Sequence, residues 1–110
     1  RTATNLIADP SNRLHISMAS IWELAIKVGL KKVGLSVPLE TFLTTAITGY
    51  GLNVIDITIE DCVSYVSLSF PDPRHRDPFD RMIVIHSQRH SLSVIGVDDK
   101  FDIYGVTRLW

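Results

Sequence analysis

The stretch DPFDRMIVIHSQRHSLSVIGVD, residues 77–98, decides the fold because it joins a helix directly to an apolar strand. Asp77 and Pro78 are residue types preferred at the N-cap and at the first position of a helix. They predict a helix that runs to His90. The apolar run from Leu92 to Val97 then predicts a buried strand. A helix that leads straight into such a strand is typical of an α/β protein with parallel strands.

The same alternation of strand and helix continues through the rest of the chain. Further strands are predicted at 13–17, 53–57 and 106–110, helices at 20–28, 38–47 and 58–70, and a short helical segment at 98–104. Thr58, with Asp61 three residues later, indicates the start of one of these helices. We therefore predict a three-layer α/β/α fold with a mainly parallel sheet.

Length and charge exclude several classes of protein. The 110 residues fit a single domain, 1–110, with one hydrophobic core. Eleven basic and twelve acidic residues give a net charge of -1, which does not favour avid non-specific binding to nucleic acid. The one cysteine, Cys62, excludes an internal disulfide framework. Because no apolar run is long enough to span a membrane, we expect a reduced, cytoplasmic protein without a membrane partner.

Three acidic residues are predicted near the carboxyl ends of the strands, where open parallel sheets place their sites. Glu23 lies in the helix after the first strand, Asp80 begins the helix at 77–90, and Asp98 directly follows the strand at 92–97. Three carboxylates at one edge would repel each other unless a cation neutralised them. Hard oxygen ligands favour Mg²⁺ or Mn²⁺, so the pattern indicates a candidate metal site made of these three residues.

Each carboxylate also has a simpler interpretation. Glu23 and Lys27 form an i,i+4 pair of the kind that stabilises exposed helices. Asp80 complements the dipole at a helix start, and Asp98 can cap the short helical segment that follows it. Spacing alone leaves both interpretations open.

The histidine pair and the cysteine do not indicate a metal or catalytic site. His86 and His90 have i,i+4 spacing, but they lack the glutamate of a metalloprotease helix and a third ligand, so we expect them at the surface. Cys62 is predicted to be a packed thiol within an apolar helix.

Several segments together resemble the PIN-domain proteins of the VapC toxin type. Residues 17–27, SMASIWELAIK, resemble the second conserved block of that family, and residues 75–83, HRDPFDRMI, resemble the third. Residues 94–101, VIGVDDKF, followed by YGV at 104–106, resemble the fourth block and the C-terminal end. The resemblance covers essentially the whole chain in the right order.

This resemblance implies an Mg²⁺-dependent endoribonuclease that is the toxin of a toxin–antitoxin pair and cuts tRNA or rRNA. By position, Glu23, Asp80 and Asp98 would be the second, third and fourth acids of its metal site, with Mn²⁺ as an alternative ion. A cognate antitoxin and a homodimer are the protein partners that the resemblance implies. Arg76 and Arg81, together with Lys27, would be candidates for contact with phosphate.

Two departures from the family pattern lead to further expectations. Gly96 stands where the family usually has a serine or threonine. The family's first acid lies on a central N-terminal strand, and no such strand is found before Asn5. We therefore expect a gap in the sheet, which a second copy could close by pairing, and little or no nuclease activity from 1–110. The chain would be a fragment or a truncated paralogue, and the alternative function is a catalytically inactive binding module or relic.

Overall fold

The computed structural model describes residues 2–110. In chain order its elements are α1 (Thr2–Ala8), β1 (His15–Ser17), α2 (Met18–Gly29), α3 (Leu39–Tyr50), β2 (Asn53–Ile55), α4 (Ile59–Ser67), α5 (Pro78–His90), β3 (Val94–Ile95), a 3₁₀ helix (Asp99–Tyr104) and β4 (Arg108–Leu109). The predicted elements are all present, although the strands are shorter than expected, and α1 was not predicted. None of the described helices is long and apolar enough to cross a membrane.

The strands form two parallel pairs, which confirms the predicted α/β class. β1 pairs with β2, so that His15 lies opposite Asn53. β3 pairs with β4, so that Val94 lies opposite Arg108. In the described residues these pairs are two separate two-stranded sheets.

Helix α5 is the centre of the molecule and packs against α2 and α4. Ile85 of α5 is 1% exposed and forms the core with Met82 and with Ala19 of α2. Burying a side chain of this size contributes about 1.5–3 kcal/mol. Partly buried apolar side chains complete the cluster: Ile57, Tyr65, Leu68, Phe79 and Ile83.

Local capping fixes where two of these helices begin. The backbone N–H of Thr58 donates to Oδ2 of Asp61 at 3.0 Å, and the N–H of Asp61 donates to the Thr58 hydroxyl at 3.2 Å. This is the reciprocal capping predicted for α4. As predicted, Asp77 is the N-cap of α5 and Pro78 is its first residue.

A cleft of about 640 Å³ is lined by residues of both sheets. Strands β1 and β3 contribute to its walls, together with Ile83 and His86 of α5 and Leu6 of α1. That this cleft is the expected gap in the sheet stays a prediction.

The hydrogen bonds of β3 show which backbone groups face the cleft. The N–H of Val94 donates to Thr107 at 2.8 Å, and the N–H of Gly96 donates to Leu109 at 3.1 Å. Because successive residues of a strand direct their backbone groups to alternate sides, the N–H and C=O of Ile95 point away from β4. Ile95 lines the cleft, so this strand has an edge that can accept a further strand.

Candidate acidic site at the ends of the strands

Asp80 lies in the first turn of α5, where Asp77 fixes the backbone. One oxygen of the Asp77 carboxylate accepts hydrogen bonds from the N–H groups of Phe79 at 2.9 Å and of Asp80 at 3.0 Å. These bonds satisfy two of the unpaired donors at the helix start. The Asp80 side chain is thereby held, half-buried, at the beginning of the helix.

The surroundings of Asp80 raise the pKa of its carboxyl group. Burial is the largest cause, and the charges of Asp77 and Asp98 act in the same direction, while a hydrogen bond from His75 opposes them. Like charges raise a carboxyl pKa only when they are close, so Asp80 and Asp98 lie within electrostatic range of each other. That Asp80 and Asp98 belong to one metal site stays a prediction.

Asp98 lies three residues after the end of β3 and caps the 3₁₀ helix. Its Oδ1 accepts a hydrogen bond from the N–H of Lys100 at 3.0 Å. The capping interpretation of Asp98 is therefore confirmed. A cap uses one oxygen as an acceptor, which leaves the carboxylate with capacity for another partner.

Glu23 pairs with Lys27 on α2, as its simpler interpretation predicted. The Lys27 Nζ lies 3.7 Å from a Glu23 carboxylate oxygen, and the Glu23 side chain is 29% exposed. Among residues 2–110, no group of three or more histidine, cysteine, aspartate or glutamate side chains is placed to hold a metal ion. A role for Glu23 beside Asp80 and Asp98 stays a prediction.

His75 is a site residue that the sequence did not reveal. Its ring is 7% exposed, its Nε2 lies 3.2 Å from Oδ2 of Asp80, and its Nδ1 lies 2.8 Å from the hydroxyl of Tyr104. The one signal was its position in the block HRDPFDR, two residues before the helix cap. Nothing in the spacing linked it to Tyr104.

Arg81 is fully buried, so its prediction as a phosphate contact is wrong. Its Nη1 donates to the Ser69 carbonyl at 2.9 Å and to the Tyr104 hydroxyl at 3.2 Å, and its Nη2 donates to the Leu68 carbonyl at 2.8 Å. The guanidinium also lies 3.6 Å from the centre of the Phe70 ring. These contacts compensate a cation that would otherwise be costly to bury.

A second polar network lies inside the protein, and His86 is its centre. The His86 Nδ1 lies 2.8 Å from the Ser17 hydroxyl, and its Nε2 lies 3.0 Å from Oδ2 of Asp61. Arg89 Nε forms an ion pair with the other Asp61 oxygen at 2.8 Å, without good hydrogen-bond geometry. Burial acts to raise the pKa of Asp61, but hydrogen bonds from Thr58 and His86 outweigh it and hold this pKa below its usual value. The network joins α2, α4 and α5.

Two predictions about side-chain location, those for His86 and Cys62, are wrong. His86 is 2% exposed and not at the surface, whereas His90 is exposed as predicted. Cys62 is exposed on α4 and is not a packed thiol.

Comparison with known proteins gives one match. The family model described as PIN domain matches residues 1–106, which is nearly the whole chain. None of the curated proteins matched the chain, and none of the solved structures did.

Proposed function

The chain belongs to the PIN domain family, and from this premise we propose that it hydrolyses phosphodiester bonds in RNA as the toxin of a toxin–antitoxin pair. The observation that carries the proposal is the match of the PIN domain model to residues 1–106, together with Asp80 in the first turn of α5, where His75 holds one of its carboxylate oxygens. Carboxylates near one another at this edge could hold a divalent cation.

The donor set fits Mg²⁺ or Mn²⁺. Burial raises the pKa of Asp80, and the charges of Asp77 and Asp98 act in the same direction, so a cation beside these carboxylates would offset their repulsion. Carboxylate oxygens are the ligands these ions prefer. A bound ion would supply an activated water molecule and stabilise charge on the phosphate. Asp80 and Asp98 would hold it, and the Oδ1 of Asp80 is not used by His75.

Glu23 is the third ligand of the proposed site. Its present partner is Lys27, in an ion pair whose lysine and glutamate side chains are 49% and 29% exposed. Such pairs contribute about 0–1 kcal/mol, so little free energy opposes the rotation of Glu23 toward a cation. Lys27 and the exposed Arg76 could then contact phosphates of the RNA substrate. The proposed substrates are tRNA and rRNA.

A fourth carboxylate would complete the site on a strand placed in the cleft between β1 and β3. The carboxyl end of a strand parallel to β3 would lie at the same edge as Asp98. The alternative function is a binding module with the same fold and no catalysis.

Two protein partners are part of the proposal. A cognate antitoxin would place a basic side chain against Asp80 and Asp98, since opposite charge is complementary there. A second copy would cover the exposed apolar stripe of α4, formed by Ile59, Val63 and Val66 at 82%, 64% and 86% exposure. These residues share one face of the helix because they are spaced i, i+4 and i+7.

The deciding experiment is titration of the 1–110 protein with Mn²⁺, followed by paramagnetic broadening of Asp80 and Asp98 signals. We expect broadening at millimolar Mn²⁺ in the native chain, its loss in Asp80→Asn and Asp98→Asn, and its persistence in the exposed control Asp99→Asn. No binding at millimolar Mn²⁺ would refute the nuclease proposal for this chain. RNA binding that is independent of metal would instead favour the binding module.

A further inference from the structure

We infer that Arg81, Tyr104 and His75 form a directed chain of hydrogen bonds whose function is to orient the Asp80 carboxylate. The inference rests on the proposed function in one respect, namely that Asp80 is a metal ligand. The chain makes His75 and Tyr104 positioning residues, because they act on the site through Asp80.

The chemistry of the groups sets the direction of each bond. An arginine guanidinium can only donate, so the Tyr104 oxygen accepts from Arg81 at 3.2 Å. An ionised Asp80 can only accept, so the proton of a neutral His75 lies on Nε2, 3.2 Å from Oδ2 of Asp80. The His75 Nδ1 is then an acceptor, and the Tyr104 hydroxyl donates to it at 2.8 Å. Every bond in the chain therefore donates toward Asp80.

Burial makes this chain a rigid support. Arg81 is 0% exposed and is anchored by the carbonyls of Leu68 and Ser69. The His75 ring is 7% exposed and contacts the Tyr104 ring edge-on, with ring centres 5.5 Å apart. Hydrogen bonds are stronger in such surroundings, and consecutive bonds polarise each other. The chain thus leads from a fixed cation in the core to the carboxylate at the site.

The consequence for Asp80 is a defined orientation. His75 holds Oδ2, so Oδ1 is left for a ligand. Partners of this kind around a metal ligand typically change metal affinity about 10–100-fold when they are removed. We therefore expect His75→Ala, which removes the partner of Asp80, to weaken Mn²⁺ binding at least about 10-fold, and Tyr104→Phe, which removes the next hydroxyl in the chain, to weaken it measurably but by less.

The first test needs no metal. Nitrogen-15 NMR of histidine-labelled protein reports which ring nitrogen of His75 carries the proton. We expect the Nε2–H form in the native chain and a mixture of the two forms in Tyr104→Phe. Tyr50→Phe, at a tyrosine that is 62% exposed, is the matched control and is expected to leave His75 unchanged.

The second test is the Mn²⁺ dissociation constant, measured by electron paramagnetic resonance. His75→Gln keeps an N–H donor near the position of Nε2, so its Mn²⁺ dissociation constant should stay within about threefold of the native value. His75→Ala has no such donor, so its dissociation constant should rise about 10-fold or more. A native Nδ1–H form, or equal affinity in native and Tyr104→Phe proteins, would overturn the inference. If the native chain binds no Mn²⁺, the proposed function fails, and the proton position of His75 still decides the hydrogen-bond chain by itself.

Discussion

Asp77 accepts a hydrogen bond from the backbone N–H of Asp80 at 3.0 Å, and the charge of Asp77 also raises the pKa of the Asp80 side chain. The same residue therefore begins the helix and increases the negative charge at the candidate site. These two roles are separable, because a helix cap requires an acceptor oxygen but not a charge.

Replacing Asp77 by Asn separates the two roles. Asn caps helices as well as Asp does, so the free energy of unfolding should change by less than about 0.5 kcal/mol. The pKa of Asp80 should fall, because one of the charges that raise it is removed. Carbon-13 NMR titration of the Asp80 carboxyl measures this directly. Asp77→Ala is the comparison, and it should lower stability by about 1 kcal/mol. An unchanged Asp80 pKa in Asp77→Asn would contradict the assigned electrostatics.

Asp61 should make the stability of the protein depend on pH in acid. Its pKa is lowered in the folded state, so the ionised carboxylate stabilises the fold above the unfolded-state pKa of about 4. This contribution is lost as the pH falls through the folded-state pKa. Asp61→Asn should destabilise the protein by about 3 kcal/mol at neutral pH, because it leaves His86 and Arg89 without their buried anion.

Urea unfolding between pH 3 and 6 tests this behaviour. The variant should show a flatter pH dependence than the native chain, since the residue that takes up the proton is gone. The exposed Asp56→Asn is the control and should follow the native curve. A parallel loss of stability in native and Asp61→Asn proteins as the pH falls would show that Asp61 is not the group responsible.

Ser17 combines a helix cap with a contact to a buried ring. Its hydroxyl accepts a hydrogen bond from the N–H of Ala19 at 3.0 Å and lies 2.8 Å from Nδ1 of His86. Ser17→Ala should lower the free energy of unfolding by about 1 kcal/mol through loss of the helix cap. The His86 nitrogen left without a partner should lower it by about 1–3 kcal/mol more. Thermal unfolding measures the sum, with Ser36→Ala in an exposed loop as the control. A loss below about 0.5 kcal/mol would mean that water replaces the hydroxyl.

Sequence reasoning succeeded where the physical cause is local. The starts of α4 and α5 were predictable because Thr58 and Asp77 bond to groups two or three residues away. The i,i+4 pair of Glu23 with Lys27 was predictable for the same reason. The strand at 92–97 was predicted too long, since β3 comprises only Val94–Ile95.

The contacts that sequence reasoning missed join residues far apart in the chain. His75 meets Tyr104 across 29 positions, and Ser17 meets His86 across 69. Such pairs depend on how α5 packs, and neither hydrophobic period nor capping chemistry encodes them. His86 was expected at the surface because no third metal ligand was evident, and the support of Asp80 by His75 was not foreseen because no local signal links His75 to Tyr104.

The apolar stripe of α4 should hold a second copy of the chain. Ile59, Val63 and Val66 project from one helix face and are each more than half exposed. Contiguous apolar surface of this kind usually marks an interface. We expect the native chain to dimerise at micromolar concentration and Val63→Asp to shift it to monomer, because burying an unpaired charge at the centre of the stripe is unfavourable.

Sedimentation equilibrium over a range of concentrations measures this shift. Leu30→Asp is the matched control, since Leu30 is 61% exposed but lies beyond the end of α2 and outside the stripe. It should leave the dimer intact, whereas Val63→Asp should raise the dissociation constant at least about 10-fold, equivalent to about 1.4 kcal/mol. A native chain that stays monomeric at high concentration would exclude the stripe as a self-association surface. Dimerisation that is weakened equally by both variants would place the interface elsewhere.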